Sequence, residues 1–104
     1  MLIVPLQAVP NQTLAVLLNN QACQLNIYQK AFGLYMDVLV SNKLIIGGVI
    51  CQNLNRIVRS LYFGFEGDFW FSDQQGASDP DYTGLGTRFV LQYLEPSDLP
   101  LGVG

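Results

Sequence analysis

The chain contains no histidine, so the side chain that most often carries acid and base chemistry near neutral pH is missing. Charge of either sign is scarce: Asp, Glu, Lys and Arg make up 12% of its 104 residues, against about 25% in a typical soluble domain. The basic residues number five, are scattered from Lys30 to Arg88, and leave a net charge of −3. Phosphate binding needs clustered Lys and Arg, so nucleic acid is not an expected partner. There is no CxxC and no Gly-rich phosphate loop leading into a helix, and no cofactor is implied. Cys23 and Cys51 lie singly in the apolar runs QACQLNI and GGVICQN. They read as small buried hydrophobes rather than a disulfide framework, with a single Cys23–Cys51 bridge as the alternative. No apolar run approaches the ~20 residues of a membrane-spanning helix. The start, MLIVPLQAVP, lacks the basic region of a signal peptide and is cut by Pro5 and Pro10.

What the chain has instead is apolar residues and amides: half of it is hydrophobic, and nine Gln and seven Asn outnumber the thirteen charged residues. A small monomer with so little charge is poorly solvated. This composition predicts a protein whose surface is partly covered by copies of itself or by other proteins, because interface cores are depleted in charge. A monomer with an amide-rich surface is the alternative. The length fits one domain, read here as residues 1–95 followed by a flexible tail, 96–104, with the sequence PSDLPLGVG.

Helical periodicity is nearly absent, while period-two alternation recurs throughout. Leu2 to Ala8 is a short apolar segment broken by Pro5, which belongs at an edge or bulge. Gln12 to Leu18 follows, and Asn19-Asn20 supplies a tight turn. In Ala22 to Lys30, Cys23, Leu25 and Ile27 face one way and Gln24, Asn26, Tyr28 and Lys30 the other. Beyond a turn at Ala31-Phe32-Gly33, residues Leu34, Met36, Val38 and Val40 share a face. Asn42-Lys43 is the next turn candidate, after which LIIGGVIC is apolar on both faces, as in a strand covered on both sides. Gly47-Gly48 marks a bulge or bend within it. Gln52 to Ser60 reads as a loop or short helix. LYFGFEGDFWFSD makes two short strands around Glu66-Gly67-Asp68, and a long turn-rich connection, Gln74 to Gly86, precedes a last strand, Thr87 to Leu94. The expectation is an all-β antiparallel barrel or sandwich of seven or eight short strands.

Chemistry is hard to assemble from this inventory. Asp73, Asp79 and Asp81 are the only acidic cluster, and D-P-D-Y-T-G keeps the first pair of a calcium loop but then substitutes Tyr and Thr. These carboxylates read first as turn formers that accept backbone amides. No catalytic and no metal-binding residue is assigned. Trp70, Tyr62 and Tyr82 raise a second possibility, a carbohydrate-stacking platform on a virion module. Trp70 faces opposite to Phe69 and Phe71, however, so one face of that strand exposes large rings unless a partner covers it. The expected interface residues are Trp70, Asp79, Asp81, Tyr82, Leu85, Arg56 and Arg59, with Tyr82 and Leu85 as apolar anchors on the long loop.

Three ordered stretches, "LIVPLQAVPNQT", "GLYMDVLVSNKLIIGGVICQNLNRIV" and "GDFWFSDQQGASDPDYTGLGTRFVLQYLEPSDL", together resemble the small baseplate plug proteins of contractile-tailed bacteriophages (myophages). The resemblance implies a non-enzymatic, β-rich component at the centre of the virion tail baseplate, made in the host cytoplasm. It would plug or join the hub and tube region. Implied partners are further copies of itself, as a trimer or hexamer, and neighbouring hub, tube or spike proteins.

Overall fold

A computed structural model describes residues 2–58 and 66–95 of the chain. Among these residues seven strands run in order: β1 (Leu2–Val4), β2 (Asn11–Leu18), β3 (Gln21–Lys30), β4 (Gly33–Val40), β5 (Lys43–Ile50), β6 (Asp68–Asp73) and β7 (Phe89–Leu94). They form two antiparallel sheets, β2-β3-β4-β5 and β1-β7-β6. The sheets stay separate, so the fold is a sandwich and not a barrel. The expected strand over Leu61 to Phe65, the end of the Gln52 to Ser60 segment and the tail 96–104 lie outside the described residues.

Alternation built the larger sheet as expected. Leu25, Ile27, Leu34, Met36 and Val38 point inward and are fully buried, and Phe69, Phe71, Leu91 and Tyr93 meet them from the smaller sheet. The Phe69 and Tyr93 rings lie 5.5 Å apart between centroids and tilted, an arrangement that suits aromatic quadrupoles. Cys23 and Cys51 are buried free thiols and form no bridge; burial pushes the Cys51 thiol up to about 12.

The turns explain the registers. Asn19 and Asn20 have φ of 50° and 61°, and Ser41 and Asn42 have 51° and 66°, the left-handed pairs that match the twist of a two-residue hairpin. The second turn is therefore Ser41-Asn42, one residue earlier than Asn42-Lys43, because Val40 and Lys43 pair as its flanks. Pro5 ends β1 at Val4, shortening the expected Leu2 to Ala8 strand, since proline cannot donate to the ladder.

The largest departure is LIIGGVIC. The sequence reading has it covered on both sides, but among the described residues β5 is an edge strand paired only with β4, and Leu44 is 57% exposed. The reason is topological: after Cys51 the chain crosses to the other sheet, where the amides of Leu54 and Ile57 donate to the Phe71 and Phe69 carbonyls at 2.8 and 2.9 Å. The glycines do mark a bulge. Met36 pairs with Val49 and Val38 with Ile46, so Asp37 faces both Gly47 and Gly48.

Candidate interaction surface

The turn-rich loop 74–88 leaves the sheet at Asp73 and returns at Phe89, two residues paired across β6 and β7. Its centre is the Asp73 carboxylate. Oδ1 accepts from the Gln75 amide and Arg88 Nε, both at 2.9 Å, and Oδ2 accepts from the Ser78 amide at 2.8 Å and Arg88 Nη2 at 2.9 Å. The Asp73 side chain is shielded from solvent. The paired Arg88 guanidinium, with the two amides, holds this carboxyl well below the usual carboxylate range. The neighbouring acids have their own partners. Asp79 Oδ1 accepts from the Asn53 amide at 3.0 Å, and Asp81 caps a short 3₁₀ turn, Tyr82–Gly84, by accepting from the Thr83 amide at 2.9 Å and from its hydroxyl. Each acid is thus a separate backbone tether, as the turn-forming reading of D-P-D-Y-T-G predicts.

The rest of the loop is fastened to the sandwich. The Tyr82 amide donates to Gln29 Oε1 at 3.1 Å, and its ring packs half-buried against the core. Leu85 is only 2% exposed and belongs to the core. It cannot serve as a surface anchor in this fold, because the 3₁₀ turn directs it inward beside Phe89, with which it forms a bridge. At Gly86, φ is +84° and a Cβ would overlap the Leu6 carbonyl oxygen, so glycine lets the loop close against the segment after β1.

The remaining expected residues fall on other surfaces. Trp70 is half-buried on the outer face of the smaller sheet, and its indole N–H donates to Gln92 Oε1 at 2.7 Å. Ile3, Gln92 and Trp70 form one cross-strand row there, with Ile3 65% exposed. Arg56 is half-buried in the segment laid along β6; Arg59 lies outside the described residues. The expected set is therefore not one patch: Asp79, Asp81 and Tyr82 share the loop, while Trp70 and Arg56 belong to the β6 side.

The outer face of the larger sheet holds surface that alternation alone did not single out. One half is a polar ladder. Thr13 Oγ1 donates to Asn26 Oδ1 at 3.0 Å, Asn26 Nδ2 to Asp37 Oδ2 at 3.3 Å, and the Tyr28 hydroxyl and Gly48 amide to Asp37 Oδ1 at 2.9 and 2.7 Å. Burial raises the Asp37 pKa, but the bonds from Gly48, Tyr28 and Asn26 outweigh it and the carboxyl ends below its ordinary value. The other half is apolar: Leu17 is 69% exposed and Leu44 57%, beside a shallow groove of about 380 Å³ between Ala15, Leu17, Ala22 and Gln24. Phe32 stands 89% exposed at the β3–β4 turn. An aromatic in a two-residue hairpin tip was the sequence signal for it.

No helix among the described residues is long and apolar enough to cross a membrane. The family model described as cyanophage baseplate Pam3 plug gp18 matches residues 1–96 of the chain. No curated protein matches it.

Proposed function

Since the chain belongs to the family of the cyanophage Pam3 baseplate plug gp18, and so has a structural role in a phage tail baseplate, we propose that it acts by protein–protein contact alone. In this reading it closes or joins the central hub and tube region of a contractile tail, without catalysis. The observation that carries the proposal is the family match over nearly the whole chain. The site chemistry supports it: the acids that could have done chemistry are engaged in holding the loop 74–88 to the sandwich. The contacts would be made with copies of itself, as a trimer or hexamer, and with hub, tube or spike neighbours. The loop bearing Asp79, Asp81 and Tyr82, the Trp70 row and the exposed Phe32 are the surfaces offered.

Phage assembled without this chain should lack a functional baseplate and recover when the chain is supplied in trans. Infectious particles of normal tail morphology without it would overturn the proposal.

A further inference from the structure

A sandwich of two open sheets has four edge strands, and natural proteins guard such edges against pairing by shortening, bulging, charging or covering them. Three of the four are guarded here. β1 has three residues and runs into Pro5. β6 has the segment around Leu54 and Ile57 hydrogen-bonded along its outer side. β5 is bulged, with Gly48 turned to φ +66°. β2 is different. It is eight residues long, NQTLAVLL, regular in register against β3 throughout, with no charge, proline or glycine, and among the described residues no strand pairs with its outer side.

The direction of its free groups follows from the ladder. The Gln29 amide donates to the Pro10 carbonyl, and Leu18 and Gln21 flank a two-residue turn, so the even-numbered residues of β2 bond to β3. The N–H and C=O groups of Thr13, Ala15 and Leu17 therefore point outward along the edge.

We infer that β2 is a docking edge for β2 of a second copy of this chain, the two strands pairing antiparallel about a two-fold axis near Val16. Charge favours a second copy as the occupant. A two-fold contact sets this edge against itself, so charges of one sign on it would be brought together across the strands, where like charges destabilise; an edge without charge meets itself at no such cost. Shape agrees. With Val16 on the axis, Ala15 of each copy faces Leu17 of the other, small against large. Each exposed Leu17 then covers the groove beside Ala15 and Ala22, and the inward Leu14 meets Leu18 as the core of one copy continues into the next. The inference rests on the proposed structural role for its setting and names one of its contacts.

The test is sedimentation of the full chain and of two variants. Ala15→Pro removes only an outward N–H, which an edge strand tolerates, and should leave the β circular dichroism intact while weakening association by about tenfold or more. Leu17→Lys places a charge on the exposed outer face without touching the core and should do the same. If Ala15→Pro fails to fold, Leu17→Lys decides. A wild-type chain that remains an 11.5 kDa monomer at high concentration, or variants that associate as the wild type does, would overturn the inference. Failure of the plug role would show separately, as normal tails assembled without the chain.

Discussion

Asp73 shows how one side chain organises a long loop. Four donors converge on its two oxygens, and two of them are amides of the loop itself, so the carboxylate replaces the ladder that a turn-rich stretch cannot form. Its folded-state pKa lies below the unfolded value, so its contribution is fully present at neutral pH. That contribution begins to fall as the pH drops through about 5 toward the unfolded value near 3.9 and continues to be lost below it. Asp37, also shifted down, acts with the same sign. Urea unfolding as a function of pH should show stability declining on acidification, and Asp73→Asn should be less stable at neutral pH with a flatter acid slope; an unchanged slope would remove Asp73 from this role. Leu85 makes the complementary point. Being part of the core, it should cost about 2–5 kcal/mol on Leu85→Ala, measured by denaturant unfolding, whereas a surface anchor would cost almost nothing in the isolated chain.

At the scale of elements, the alternation of β3 and β4 was readable because each has one buried and one wet face, and the period-two pattern sorts the residues between them. Cys23, Leu25 and Ile27 against Gln24, Asn26 and Tyr28 is that sorting in the sequence, and it is the sorting found. β5 was misread for the same reason. LIIGGVI carries no alternation, so composition suggested a covered strand, while its edge position depends on where the chain goes after Cys51, which no local pattern encodes. The expected contact residues show the same limit: alternation sets Trp70 opposite to Phe69 and Phe71 without saying which side is the outer one, and Leu85 reads as exposed until the 3₁₀ turn is known. The turns were legible from their asparagines. Asn20 at φ 61° should tolerate Asn20→Gly, whereas Asn20→Val should lower stability by about 1–2 kcal/mol, the cost of a left-handed conformation for a side chain. Equal stability of the two variants would argue against the turn geometry.

For the whole molecule, scarce charge becomes intelligible as a matter of placement. The two inner faces use much of the apolar content. Among the described residues, exposed apolar side chains stand on the outer faces and at a turn: Ile3 beside Trp70, Leu17 and Leu44 on the larger sheet, and Phe32 at the β3–β4 tip. A chain that works inside an assembly would have such surfaces covered by neighbours, and membership of a baseplate plug family supplies an assembly of that kind. The decisive measurement is electron microscopy of the intact particle at side-chain resolution. Density for the two-sheet sandwich is expected within the tail baseplate, in the central hub and tube region, with these apolar surfaces in contact with other chains. A sandwich found elsewhere in the particle, or one in the baseplate whose outer faces and β2 edge are all open to solvent, would contradict it.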